Sequence, residues 1–178
     1  SPLAKSNTDL AQVLPLSARS PDALAELSTR WTRWLQTSTA DIADISATAA
    51  TGRAHFLNRI AVVGKNPGEL ADALRLAKSD EVKAIPQIAF LFTGQGSQYT
   101  GMAKRAYQVY PVFRETLDRC MQTLDKSLKR PALALLFGDE AIDTTSLAQP
   151  LVVAVELALA ALWDSWGVKP IAVMGHSL

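Results

Sequence analysis

The sequence has little of the chemistry that would cross-link a fold or bind a metal. Its one cysteine is Cys120, so an internal disulfide is excluded and a reducing compartment is favoured. The two histidines, His55 and His176, stand far apart in the sequence, and no metal site is predicted. Lys and Arg number 18 against 17 for Asp and Glu, a balance that does not indicate binding to nucleic acid or to an anionic membrane.

A targeting signal and a membrane-spanning run are also lacking. The longest apolar candidate, Leu151 to Trp163, is interrupted by Glu156, and we interpret it as a buried helix that is too short to span a bilayer. The first residues lack the basic and apolar regions of a secretory signal, so we expect a cytoplasmic protein. Residues 1–10 are polar, and we expect a disordered lead-in or the start of an internal segment.

The first part of the chain predicts a small α/β unit. Pro15 predicts an edge strand, since proline cannot donate to a central ladder, and the tryptophans Trp31 and Trp34 recur at helical spacing and are interpreted as core. The elements follow in the order βααβα, with strands at 13–18 and 55–63 and helices at 21–37, 41–50 and 67–77. The charged stretch 78–83 predicts a boundary between two domains, residues 11–84 and 85–178.

The second part predicts a parallel sheet covered by helices. The apolar runs 88–92 and 171–174 are typical of strands buried on both faces. Between them the sequence predicts a helix from about Met102, one from Pro111, a short one at 131–137, and a long apolar one from about Ser146 to Trp166. Helices that join parallel strands indicate an α/β fold.

The end of the sequence carries the strongest chemical pattern. Gly175-His176-Ser177 is the first half of a G-x-S-x-G turn, which presents a serine hydroxyl between a strand and a helix. Ser177 is thus a candidate nucleophile for acyl transfer, and the amide of Leu178 is a candidate oxyanion donor. A second amide should come from the glycine-flanked loop 94–96, for which a merely tight turn is the alternative.

No convincing base accompanies this serine. His176 adjoins the candidate nucleophile, and neighbours on a tight turn usually point apart. His55 lies on a predicted strand of the first unit and is interpreted as structural or surface-exposed. We infer that the catalytic base is not among these 178 residues.

These motifs together resemble a known family. Residues 92–98 with 101–102, then Gln149-Pro150-Leu151, then 175–178 resemble, in order, three motifs of malonyl-type acyltransferase domains. Residues 14–20 and 53–59 resemble the linker between ketosynthase and acyltransferase in modular polyketide synthases. The resemblance implies a small α/β linker domain followed by the N-terminal portion of an α/β-hydrolase-like acyltransferase domain.

The resemblance also implies a reaction. Ser177 would take a malonyl-type group from coenzyme A and pass it to the phosphopantetheine thiol of an acyl carrier protein, with backbone amides of Gln95 and Leu178 as the oxyanion hole. Gln149 and His176 would support substrate binding. The implied partners are the carrier protein, the ketosynthase and malonyl- or methylmalonyl-CoA, and no covalently bound cofactor is expected. The family's catalytic histidine and its carboxylate-binding arginine would follow the serine turn, so the extender unit is not specified.

Two alternatives remain open. The chain could be a non-catalytic docking scaffold of a synthase, although the serine kept in the turn argues against this. It could also belong to a serine esterase or thioesterase, which shares G-x-S-x-G but would favour an H-G-G-G type of oxyanion loop over Gly94-Gln95-Gly96.

Overall fold

Two separate apolar cores form along the chain, one in each of two units. A computed structural model describes residues 10–82 and 86–176, and the chain divides between residues 1–85 and 86–178. Residues 1–9 of the predicted lead-in at 1–10 lie outside the described residues.

The first unit is an antiparallel sheet with three helices. Its sheet has the order β1-β2-β3, and β1 pairs with β2 from Gln12↔Gly64 to Ala18↔Asn58. β1 lies at the edge of the sheet, as Pro15 predicts. The elements are β1 (Gln12–Ala18), α1 (Pro21–Thr37), α2 (Ile42–Thr51), β2 (Asn58–Gly64), α3 (Pro67–Leu76) and β3 (Asp80–Glu81).

Side-chain caps explain where these helices begin. The Ser20 hydroxyl accepts from the Ala23 amide at 3.2 Å, and the Asn66 carbonyl oxygen accepts from the Glu69 amide at 2.9 Å. The Glu69 carboxylate in turn accepts from the Lys65 amide at 2.8 Å, which gives α3 a reciprocal cap close to the predicted capping box.

The structure of this unit differs from the sequence-based prediction at three points. β2 begins at Asn58 rather than at residue 55, because the Phe56 amide donates to the Ser17 hydroxyl at 3.0 Å instead of joining a ladder. Trp34 is 47% exposed, so its interpretation as core is wrong, whereas Trp31 packs against the core. β3, of two residues, is too short to produce a periodic pattern.

The second unit joins two parallel strands through four helices. β4 and β5 pair in register from Ala89↔Ala172 to Phe92↔Gly175. α5 and α7 pack closely together around a core that includes Phe113, Leu117 and Leu151. The elements are β4 (Ala89–Phe92), α4 (Lys104–Val109), α5 (Pro111–Leu128), α6 (Ala132–Phe137), α7 (Thr145–Ser165) and β5 (Ala172–Gly175).

The two strands of this unit are less buried than the sequence predicts. β5 is exposed along its whole length, and β4 alternates between exposed and half-buried residues. The prediction of strands buried on both faces is therefore wrong for the described residues. The physical reason is that the buried core of this unit consists of residues between 102 and 162 and includes none from β5. The side chains of Val173 and Met174 point to opposite faces of the sheet and are 66% and 68% exposed, so the described residues cover neither face of β5.

Helix α7 corrects another expectation. By length and composition alone this 21-residue helix, which contains an 18-residue window of mean hydropathy 1.7, could cross a membrane, so the expectation that no stretch is long enough is wrong. The helix nevertheless buries Ala148, Ala158 and Leu162 in the core of the second unit, which agrees with its interpretation as a core helix.

Cys120 packs against the same core, as predicted. Its thiol is half-buried, and this burial raises its pKa, so the reactive thiolate is disfavoured.

We expect the 178-residue chain by itself to self-associate through the uncovered apolar surface of the β4–β5 sheet. Leu91 and Met174 are opposite each other in the ladder and are 73% and 68% exposed, and paired apolar strands with free edges favour association. Light scattering after size exclusion should show oligomers, and Leu91→Glu with Met174→Glu should shift them toward monomer. Leu76→Glu, at an isolated exposed leucine of the first unit, is the control. A monodisperse unsubstituted monomer would contradict this expectation.

Candidate active site

The parallel pairing of β4 and β5 brings together two loops that the sequence separates by about eighty residues. Phe92 and Gly175, the last residues of the two strands, are ladder partners. The ladder continues one step further, because the His176 amide donates to the Phe92 carbonyl at 3.1 Å. The carboxyl ends of parallel strands share one sheet edge, so the turn after β5 begins beside the loop after β4.

The loop after β4, residues 93–98, is held by its own hydrogen bonds. The Ser97 hydroxyl lies 2.9 Å from the Thr93 hydroxyl and 3.2 Å from the Gly94 carbonyl. The Gly96 amide donates to the Gln98 side chain at 2.7 Å, and Gly96 has a φ of +111°, which an L-residue rarely adopts. Glycine at this position therefore permits the loop conformation.

Gln95 lies at the exposed part of this loop, after the buried Gly94. Within residues 86–176, its backbone amide makes no hydrogen bond to another described residue. An amide that has no protein acceptor can donate to a ligand oxygen, which is the property that an oxyanion donor needs.

A carboxylate from α7 anchors the start of the loop. Oxygen Oε1 of Glu156 accepts from the Thr93 amide at 2.6 Å and from the Thr93 hydroxyl at 2.8 Å. In the sequence, Glu156 is only an interruption of an apolar run. A lone acid in a core helix needs a polar partner, and this requirement was the signal that could have identified it.

Gln149 lies on the same helix, one residue before Pro150. It precedes Glu156 by seven residues, or about two turns, so both lie on the same face of α7. The Gln149 side chain is half-buried. Pro150 has no amide hydrogen and so leaves one carbonyl of the preceding turn without its helical donor.

The candidate nucleophile Ser177 and the candidate donor Leu178 lie outside the described residues. Of the predicted turn, the structure gives Gly175 and the exposed His176. His55 belongs to the first unit, where its Nε2 lies 2.8 Å from the Ala50 carbonyl oxygen. The roles of these residues therefore stay predictions.

An open cleft of about 860 Å³ lies beside the loop. Its lining is mainly apolar, with polar groups from Thr93, Ser97 and Glu156, and its larger apolar members include Phe90, Phe92, Val155, Leu159 and Trp163. In residues 10–82 and 86–176, His, Cys, Asp and Glu form no group of three that could hold a metal ion.

Two family models match the chain. The model for the acyl transferase domain matches residues 89–178, and the model described as CurL-like, PKS C-terminal matches residues 12–74. Among curated proteins, the polyketide synthase GfsA of Streptomyces halstedii is 38% identical over 92% of this chain. The chain spans 2% of the length of that protein.

Solved structures agree with these matches. The acyl transferase domain of ZmaA has a TM-score of 0.83 and 31% identity over 94% of this chain, which covers 42% of that domain's chain. The acyl transferase domain of SpnD, solved in complex with 2-(pent-4-yn-1-yl)malonyl, has a TM-score of 0.80 and 31% identity at the same coverage.

We expect Gly96→Ala to strain the loop after β4. An added Cβ meets no described atom within 4 Å, so the cost comes from the φ of +111° and should lower the free energy of unfolding by about 1–3 kcal/mol. Gly175→Ala is the matched control, since that glycine also has open space for a Cβ and no positive φ. Chemical unfolding followed by tryptophan fluorescence measures both, and equal stability of the two variants would refute the strain argument.

Proposed function

The chain belongs to the acyl transferase domain family of polyketide synthases, and from that premise we propose that its second unit transfers acyl groups through Ser177. The serine hydroxyl attacks the thioester carbonyl of an acyl-CoA, the hydroxyl proton passes to a base, and the coenzyme A thiol leaves with a proton. The phosphopantetheine thiol of a carrier protein then attacks the acyl-serine and restores the hydroxyl. The observation that supports this most is the Phe92↔Gly175 register, which puts the two motif loops at one sheet edge.

The oxyanion hole in this proposal consists of the backbone amides of Gln95 and Leu178. Gln95 is an exposed residue, and its amide has no acceptor among the described residues of its unit. Two preorganised amides would stabilise the negative oxygen of each tetrahedral intermediate, and loss of one such donor typically costs about 10²–10³ in rate.

The remaining site residues have supporting roles in this proposal. Gln149 shares a face of α7 with Glu156, which places it toward the loop side of the helix. His176 follows the last ladder residue of β5 and is exposed. His55 belongs to the first unit and His176 adjoins Ser177 in the turn, so we propose that the base comes from polypeptide other than these residues.

A malonyl-type acyl group is the proposed substrate class. The supporting observation is the similarity to the SpnD acyl transferase domain, which extends over 94% of the present chain. That domain was solved with a substituted malonyl group.

The first unit is proposed to be the linker that joins this acyltransferase to a ketosynthase, with the domain division at residues 11–84 and 85–178. Support comes from the match at residues 12–74 and from the unit's own apolar core. Its function would be to hold two catalytic domains together, without chemistry of its own.

We expect the synthase polypeptide that carries this chain to gain the mass of one malonyl-type group when mixed with malonyl-CoA or methylmalonyl-CoA. Ser177→Ala should reduce formation of this adduct on the order of 10⁴-fold or more, because the nucleophile is removed. Peptide mass spectrometry after brief incubation locates and quantifies the adduct.

Ser146→Ala is the matched control, at an exposed serine of α7, and should keep the adduct. An adduct that persists in Ser177→Ala, or no adduct with either thioester, would refute the proposal.

A further inference from the structure

We propose that Glu156 is a positioning residue that fixes the loop at residues 93–98 and thereby aims the Gln95 amide at the acyl-transfer site. This inference rests on the proposed function. The hydrogen bonds from Thr93 to the Glu156 carboxylate connect α7 to the first residue after β4, across 63 positions of sequence.

Both bonds end on one carboxylate oxygen, Oε1 of Glu156. The amide of Thr93 reaches it at 2.6 Å and the hydroxyl at 2.8 Å, distances typical of bonds to a charged acceptor. Two donors from one residue fix both the backbone and the side chain of Thr93. The chain therefore leaves β4 in a defined direction, two residues before Gln95.

The carboxylate also sets the direction of the next hydrogen bond. An ionised carboxylate only accepts, so the Thr93 hydroxyl must donate to Glu156 and can only accept from Ser97, whose hydroxyl is 2.9 Å away. The Ser97 proton has a second acceptor in the Gly94 carbonyl at 3.2 Å. These contacts tie the two ends of the loop together around Gln95.

A negative charge near a developing oxyanion is electrostatically unfavourable, so a direct catalytic role for the Glu156 charge is not indicated. The two hydrogen bonds from Thr93 require only an acceptor oxygen at the position of Oε1. A glutamine carries an equivalent Oε1 and no net charge, so Glu156→Gln should keep the loop in place. Glu156→Ala removes the acceptor and leaves the two donors of Thr93 without a partner.

The test is the single-turnover rate constant for acylation of Ser177 in the intact synthase, with the apparent KM for acyl-CoA measured in parallel. Glu156→Ala should lower the rate constant by about 10–100-fold, since a donor displaced by roughly 1 Å loses most of its effect, and should leave KM within a few fold. Glu156→Gln should restore the rate constant to within a few fold of wild type.

A second pair of variants tests the same network if Glu156→Ala fails to fold. Thr93→Val removes the hydroxyl bonds and keeps the amide bond, so its acylation should slow by less than that of Glu156→Ala. Thr93→Ser keeps both donors and should behave as wild type. Asp164→Ala is the control for loss of an acid on α7, because Asp164 is exposed and pairs with Lys169 at the surface.

Amide hydrogen exchange of the peptide that covers residues 93–98 gives a readout that does not depend on activity. Exchange should be faster in Glu156→Ala and Thr93→Val than in Glu156→Gln, Thr93→Ser and Asp164→Ala.

If wild type forms acyl-Ser177 but Glu156→Ala and Thr93→Val acylate at the wild-type rate, the inference is wrong. If Glu156→Gln lowers the acylation rate constant as much as Glu156→Ala does, the rate depends on the charge of the carboxylate, and the positioning role is also wrong. If wild type forms no acyl-serine, the proposed function itself is wrong.

Discussion

The parallel ladder between β4 and β5 is the constraint on which the candidate site depends. Four residues on each strand pair in register, and the last pair, Phe92 and Gly175, fixes where both following loops begin. A shift of the register by one residue would move the side chains of one strand to the opposite face of the sheet. It would also displace the two following loops relative to each other along the strand direction. The His176 amide bond to the Phe92 carbonyl extends the pairing into the turn that carries the candidate nucleophile.

Helix α7 connects this sheet to the core of the second unit. Its residues Ala154 and Ala158 are buried in that core, while Glu156, which stands between them in the sequence, accepts from the loop after β4. One helix therefore contributes both to the stability of the core and to the geometry of the loop. The acid therefore has a structural partner in a helix that is otherwise apolar enough to satisfy the length and composition of a membrane span.

The sequence predicted what depends on local pattern and on motifs. Apolar periodicity and helix-start residues predicted α1 and α7 to within one residue at each end, and the start of α5 at Pro111. The exposure of β5 could not be predicted, because an apolar run indicates affinity for a core and not the presence of one. Likewise, the role of Glu156 depends on Thr93, 63 residues away, and no local pattern connects them.

The most direct test of this account is a crystal structure of the acyltransferase within its parent polypeptide after reaction with a serine-directed phosphonate. The account predicts phosphorus bonded to the Ser177 oxygen, and a phosphonyl oxygen about 2.7–3.1 Å from the Gln95 amide nitrogen. It also predicts that the bonds from Thr93 to Glu156 are kept. A phosphonate on Ser177 with the Gln95 amide turned away from it, or on another residue, would contradict the account.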